Sequence, residues 1–332
     1  MKAYHERKIY KLLNIFLCLC LSVLFALGGC QTLPPFESVA VYQGLSVHFL
    51  DVGQGDCIFI NLPDGKTVLI DCGLNDSILE NGKYIEFYLD SYGVQAIDYL
   101  ILTHPDTDHI GNAEFIMDNF GVGKVFIPTI PQSMTDDFPT FSRVIDKIRE
   151  KGIDSEVSDC TKSIRGDGYF LAFLSPNPKG TTDSSYDNLI KNDPPTDLDI
   201  NNLSPIIYMM ANGKKFLFTG DAQKSQENLI INNFINEIYQ NLYHKDLDID
   251  LTNVDYLKVS HHGSSDATGQ EFLQFINPKN AIISVGAQNF YGHPNSETLT
   301  RIRDLCPDCS IFRTDLSGTV CIREQNGQMI IN

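Results

Sequence analysis

Residues 99–109 read Tyr99-Leu100-Ile101-Leu102-Thr103-His104-Pro105-Asp106-Thr107-Asp108-His109. The first five form an unbroken, largely apolar run, the mark of a strand buried on both faces. The last six crowd two imidazoles and two carboxylates onto the turn that ends it. Without a counter-charge Asp106 and Asp108 would repel each other. A divalent cation removes that cost and uses every nitrogen and oxygen donor present. The competing reading is a solvated acidic turn, or an N-cap for a helix starting near Gly111. At average composition this four-residue pattern arises by chance in a chain this long at well under about 1%, so the metal reading is preferred.

Outward from this turn, apolar runs again end on reactive side chains. Phe216-Leu217-Phe218-Thr219-Gly220-Asp221 ends on an aspartate, and Leu257-Lys258-Val259-Ser260-His261-His262-Gly263-Ser264 carries two histidines at its end. Val68-Leu69-Ile70-Asp71-Cys72-Gly73 is a third case. His104, His109, His261, His262 and His293 all lie at strand ends or in a loop. His48 lies inside a strand and reads as a satisfied core or surface histidine.

Strands are predicted over residues 45–52, 57–61, 67–71, 97–103, 124–127, 170–174, 206–210, 215–218, 256–259, 281–285, 310–314 and 319–323, where Val, Ile, Phe and Tyr run between turn residues. Helices are predicted over 76–92, 111–120, 140–151, 224–243, 269–276 and 296–305. A strand meander followed by strand–helix alternation occurs twice. That layout is an α/β (α+β) fold with two sheets face to face and helices outside, an αββα four-layer sandwich. Residues 177–204, dense in Asn, Asp, Pro, Ser and Thr, read as a long loop, and 233–253 as a polar, acidic insertion. Each either borders the site or is surface ornament.

The N-terminus is organised differently. Lys2, Arg7, Lys8 and Lys11 precede an apolar run over residues 12–27, and Gly28-Gly29-Cys30 follows. A basic region, an apolar region too short for an ordinary span, and small residues make an export signal. The cysteine after the small residues resembles a bacterial lipoprotein signal, which implies cleavage before Cys30 and lipidation of it. The alternative is a retained signal-anchor helix. Residues 1–30 are thus assigned to the signal, 31–45 to a tether kept extended by Pro34-Pro35, and 46–332 to the catalytic domain. The expected location is outside the cytoplasm, lipid-anchored to the bacterial cell envelope.

Composition narrows the class further. With 332 residues, 42% hydrophobic, the chain can build a large core, and its 9 cysteines are too few for a disulfide scaffold. Formal charge is −17; the first 30 residues carry +3, leaving −20 on the body. Such a field repels nucleic acid and anionic membrane at long range, so any bound phosphate must be held locally, for example by a metal. Outside the signal and Cys30 lie Cys57, Cys72, Cys160, Cys306, Cys309 and Cys321. In an oxidising compartment some could pair, and Cys57 and Cys72 flank a predicted hairpin turn at Pro63-Asp64-Gly65. Cys306-Pro307-Asp308-Cys309 has no second CxxC to complete a four-thiolate zinc site.

Taken in order, Asp71, His104-x-Asp106-x-Asp108-His109, Gly220-Asp221 and His261-His262 resemble the metallo-β-lactamase superfamily. Within it, Phe49-Leu50-Asp51-Val52-Gly53-Gln54-Gly55-Asp56, residues 257–264 and Tyr291-Gly292-His293-Pro294 resemble the hydrolase domain of ComEC-type competence proteins and their free-standing relatives. The match runs from about residue 46 to 324. The membrane channel of that family is not carried over. Two departures stand out. Asp106 occupies the place of the superfamily's usual second histidine, and Leu174-Ser175-Pro176 stands where a further histidine is often found.

The resemblance implies a metallo-β-lactamase fold and two divalent metal ions, with zinc the first expectation and manganese or iron fitting as well. His104 and Asp106 would hold the first ion, and Asp108, His109 and one of His261 or His262 the second, with Asp221 bridging. His262 is the preferred ligand, with His261 facing the substrate. Asp71 would brace the ligand turn. Ser264 and His293 would contact substrate oxygens, and Asp51, Gln54 and Asp56 would shape the adjoining turn. The implied catalytic residues are Asp108, His261 and His293, acting through water activated by the metals.

The expected function is hydrolysis by a phosphodiesterase-like metalloenzyme, with nucleic acid or an envelope phosphodiester such as phosphocholine as substrate. The membrane would be reached through the lipid anchor, and no protein partner is evident. Two alternatives stand beside it: a hydrolase of carbonyl substrates, and a non-catalytic envelope lipoprotein keeping the fold for binding. A serine hydrolase lacks support, since no GxSxG elbow occurs.

Overall fold

Each of the two sheets begins antiparallel and ends parallel, and this places the strand ends that carry chemistry. In the first, β1 (Ser46–Phe49), β2 (Ile58–Asn61) and β3 (Thr67–Ile70) form a meander. Then β4 (Ala96–Ile101), β5 (Gly121–Ile127) and β6 (Asp154–Val157) add parallel to β3. The second sheet repeats the plan. Antiparallel β7 (Ser163–Gly166), β8 (Tyr169–Phe173), β9 (Ile207–Ala211) and β10 (Lys214–Phe218) are followed by parallel β11 (Tyr256–Lys258), β12 (Asn280–Ile283) and β13 (Ser310–Arg313). The chain returns to the first sheet with β14 (Val320–Gln325) beside β1 and β15 (Gln328–Ile331) at its edge. The computed structural model describes residues 44–76, 80–130, 132–181 and 200–332, with 184, 187 and 196. The export signal, Cys30, nearly all of the tether and most of the 177–204 loop lie outside the described residues.

Side-chain alternation builds four layers from these strands. Val68 and Ile70 of β3 meet Leu171 and Phe173 of β8 and Phe216 and Phe218 of β10 between the sheets. Leu69 and Leu100 turn the other way, onto Ile85 and Leu89 of helix Asn81–Ser91 and Val144 and Ile148 of helix Pro139–Lys151. Leu217 and Leu257 likewise cover Ile230 of helix Lys224–Ile235 and Phe272 and Ile276 of helix Gln270–Ile276. Strands covered on both faces have no polar side to show, hence their unbroken apolar runs. The αββα sandwich expected from element order is the fold observed. Among the described residues no helix is long and apolar enough to cross a membrane.

The structure adds three strands the sequence reading lacked: β6, β7 and β15. All three are sheet edges. An edge strand pairs on one side only and tolerates polar side chains, so Asp154-Ser155-Glu156-Val157 carries no β-rich signal. The helix predicted over 224–243 ends at Ile235 and is followed by a separate turn, Tyr239–Tyr243. Glu237 there has φ 55°, a left-handed backbone that no helix continues through. Tyr239, Ile249 and Leu251 of the supposed polar insertion are buried in the outer layer behind the second sheet, so part of that stretch is core. From the other long loop, Ser204 reaches the site.

His48 is the satisfied histidine expected, with Nδ1 2.9 Å from the Tyr88 hydroxyl and Nε2 2.8 Å from Ser46 Oγ. The six described cysteines are free. Register pairs Ile58 with Ile70, so Cys57 stands opposite Asp71 rather than Cys72.

Candidate metal centre

Strand β4 delivers Thr103 and His104, and the following turn delivers Asp106, Asp108 and His109. Asp106 precedes the short helix Thr107–Ile110 but makes no side-chain cap, so capping does not explain it. Glycine makes the turn fit: the Gly55 backbone, at φ 136°, lies so close to Asp108 that a Cβ there would sit 2.1 Å from its carbonyl oxygen.

Asp71, at the end of β3, braces this turn. Its Oδ1 accepts the Thr103 N–H at 2.8 Å, and its Oδ2 accepts both the Thr103 hydroxyl at 2.7 Å and His109 Nδ1–H at 2.7 Å. The Thr103 oxygen in turn lies 3.0 Å from His104 Nδ1, and Ser204 Oγ lies 3.2 Å from the same nitrogen. His262 Nδ1–H donates to the Ser284 carbonyl at 2.8 Å. Three imidazoles are thus fixed through Nδ1, leaving Nε2 of each for the site.

Those nitrogens converge on Asp221. Its Oδ1 is 3.3 Å from His109 Nε2, and its Oδ2 is 3.4 Å from His262 Nε2, 3.6 Å from His261 Nε2 and 4.0 Å from His104 Nε2. His109 Nε2 and His262 Nε2 are 3.3 Å apart, and Asp108 Oδ2 is 3.6 Å from the latter. Asp106 Oδ2 is 3.6 Å from His104 Nε2. Ligands about 2 Å from a tetrahedral ion are separated by roughly 3.3 Å, so these spacings suit donors around a cation. His104 Nε2 and Asp221 Oδ1 are buried with no hydrogen-bond partner, a costly state that a metal relieves. His104, His109 and Asp221 form one set of mutually close donors, and Asp108, His109 and His262 another. The residues present therefore fit metal ions. Asp56, Asp71 and His109 form a third group, but there Asp56 pairs with a lysine and Asp71 with His109 Nδ1.

Charge follows the geometry. Burial opposes charge on His262, yet Asp221 and Asp108 push its pKa up to about 10. Against the same burial penalty, Asp221 and Asp71 raise His109 well above the usual imidazole range. Asp221 itself is held well below the ordinary carboxylate range, because His262 and His109 outweigh its burial. His293 runs the other way. Burial, with His261 and His262 nearby, lowers it to about 4.

The second-sheet contribution sits on unusual backbone. His261 (φ 48°), His262 (φ 51°) and Gly263 (φ 84°) are all left-handed, a conformation that costs a non-glycine residue about 1 kcal/mol or more. Glu227 holds the turn, accepting the N–H groups of Thr268 and Gly269 and the Ser260 hydroxyl. His293 lies beside it, its ring 5.5 Å from His261 and 6.4 Å from His262, with exposed Tyr291 stacked on it at 5.8 Å. The Ser264 hydroxyl accepts the Asp266 N–H at 3.4 Å, closing a local turn. Ser175, where a further histidine was sought, uses its hydroxyl to accept the Ile206 N–H.

Sequence reading missed Lys258, Thr103 and Ser204. Lys258 left a signal, a lone charge inside an apolar strand. Ser204 left none, because only folding brings it to His104. Gln54 and Asp56 lie beside the site and reach across to the second sheet: Gln54 Oε1 accepts the Gly286 N–H, and Asp56 lies 2.6 Å from Lys258 Nζ.

Fold and site define a metallo-β-lactamase-fold protein with a buried His/Asp cluster of the metal-binding kind. Residues 50–287 match the model of the metallo-beta-lactamase superfamily, and the chain belongs to that family. It is related to competence proteins. It is 31% identical to ComE operon protein 3 of Bacillus subtilis over 92% of this chain and 37% of that protein. It is 25% identical to Competence protein ComA of Neisseria gonorrhoeae over 81% of this chain and 31% of that protein. The chain spans about a third of the length of these relatives. Among solved structures, CmlA, a diiron beta-hydroxylase from Streptomyces venezuelae, aligns with a TM-score of 0.51 at 13% identity, over 85% of this chain and 55% of that one; the likeness is one of fold.

Proposed function

We propose that this chain is a metal-dependent phosphodiesterase holding two divalent ions. The observation that carries the reading is the convergence of four imidazole Nε2 atoms on the two oxygens of Asp221, with Asp106 and Asp108 flanking them. His104 and Asp106 would hold one ion, Asp108, His109 and His262 the other, and Asp221 both. Zinc suits the imidazole and carboxylate donors, and manganese or iron suit them as well. Such ions supply Lewis acidity and a water acidified from about 15.7 to about 7. The chain's own part is positional. Asp71 and Ser284 orient the ligand imidazoles, while His261 and His293 face the rim where a substrate phosphoryl oxygen would lie. Both are neutral at pH 7 because burial lowers their pKa, so either can hydrogen-bond such an oxygen or pass a proton.

Nucleic acid and envelope phosphodiesters are the proposed substrates. The acidic body disfavours long-range capture of nucleic acid, and export with a lipid anchor at Cys30 would put the site beside envelope substrates. Elemental analysis and hydrolysis of bis-p-nitrophenyl phosphate test the reading on protein lacking residues 1–30. Bound metal, with turnover lost in Asp108→Ala, supports it, while a metal-free, inert protein favours the non-catalytic binder. A panel of plasmid DNA, phosphocholine esters and β-lactams separates the substrates, and release of Cys30→Ser from membranes tests the anchor.

A further inference from the structure

Lys258 is a wholly buried ammonium at the heart of the molecule. It sits on β11, in a run whose other side chains are apolar, and is 0% exposed. Its Nζ lies 2.6 Å from Asp56 Oδ2, donates to the Gly220 carbonyl at 3.0 Å, and is 3.9 Å from Asp221 Oδ1. An isolated buried charge is heavily penalised, so a lysine in this place must answer to charge nearby. Asp56 alone would make a neutral pair, yet the ammonium is also held on the carbonyl of the residue before Asp221 and faces the Asp221 carboxylate. Five carboxylates gather here: Asp56, Asp71, Asp106, Asp108 and Asp221. Lys258 offsets one of their charges.

We propose that Lys258 is a positioning residue acting through Asp221. From the Asp56–Gly220 cradle it holds the backbone that precedes the bridging carboxylate and places a positive charge 3.9 Å from its Oδ1. This rests on the metal-dependent reading above and adds a residue to it. The fixed positive charge repels the cations it accompanies. It therefore weakens their binding, and makes the loaded site more acidic than five carboxylates alone would allow.

The test is Mn2+ titration by calorimetry on the full chain, with the pH profile of bis-p-nitrophenyl phosphate hydrolysis. Lys258→Gln keeps donors for Asp56 and Gly220 but removes the charge. The double variant Lys258→Met/Asp56→Asn removes the pair together. Wild type is expected to take up two Mn2+ per chain. Lys258→Gln, which alone changes the net charge, should bind Mn2+ at least fivefold more tightly, and both variants should lose turnover and shift the acid limb of kcat/KM upward by about one pH unit. If Lys258 is only the counter-ion of Asp56, the double variant matches wild type in turnover and in pH profile, and the proposal falls. It falls too if both variants lose the native circular dichroism spectrum, which would make the lysine a folding residue. Wild type that binds no Mn2+ at all would instead sink the metal-dependent reading itself.

Discussion

His109 and Asp71 share one short hydrogen bond, 2.7 Å from Nδ1 to Oδ2, and that bond decides which nitrogen of the ring serves the site. A carboxylate accepts only, so Nδ1 carries the proton and Nε2 is turned toward Asp221 and His262. Asp71 also holds Thr103, whose oxygen meets His104. One carboxylate thereby orients two imidazoles. Asp71→Asn preserves size and suits the left-handed backbone (φ 57°) at this position, but it halves the accepting capacity. Metal affinity should fall by about 10–100-fold with little change in the circular dichroism spectrum. Unchanged affinity in a chelator competition would show that the bond is ornamental.

His261 and His262 are neighbours in sequence with unequal surroundings. His262 Nε2 has donors of Asp108, His109 and Asp221 within 3.6 Å, whereas His261 meets Asp221 alone among these ligands. His262→Ala should lose one of two bound ions by elemental analysis. His261→Ala should keep both ions and lose most phosphodiester turnover, on the order of 100-fold for a group acting as acid or base. Equal metal loss in the two variants would overturn this division.

Without metal, the stability of the protein should depend on pH from both sides. His262 is raised from 6.5 to about 10, so its contribution is complete below about 6.5 and is lost as pH climbs through 10. His293, lowered to about 4, favours its neutral form, so stability also falls as pH drops from 6.5 toward 4. Thermal melts in chelator should peak between about pH 6 and 7. Adding metal displaces protons from His109 and His262 and should flatten the alkaline side. A chelated protein equally stable at pH 7 and 10 would contradict a charged His262.

Gly55→Ala places a methyl group 2.1 Å from the Asp108 carbonyl oxygen, on a backbone at φ 136° that alanine resists. The turn must move or the substitution fails. Urea denaturation should show a loss of more than about 2 kcal/mol, and the same variant should bind metal more weakly because Asp108 shifts. By contrast, a methyl group at Gly65, on the β2–β3 hairpin, meets nothing within 4 Å. Its cost is that of φ 85° alone, and metal binding should be untouched.

Much of this site was legible because its parts are local. The turn 104–109 and the His261–His262 pair each concentrate donors within a few residues, at the ends of strands whose apolar runs are unmistakable. The layered fold was legible for the same reason. What escaped depends on pairing across the chain. The edge strands β6 and β7 lack a hydrophobic signature because only one of their sides is paired, whereas β15 is apolar but only four residues long. Ser204 approaches His104 across 100 positions, and no local pattern marks it.

Local chemistry alone therefore determined which residues could bind metal, because donor identity and strand-end placement are properties of short segments. Only the tertiary structure decided that Asp221 stands between two sets of imidazoles, that His262 rather than His261 faces Asp108, and that Lys258 is sealed beside them. Those facts come from stacking one sheet on another, which sets distances between segments that the chain itself leaves free.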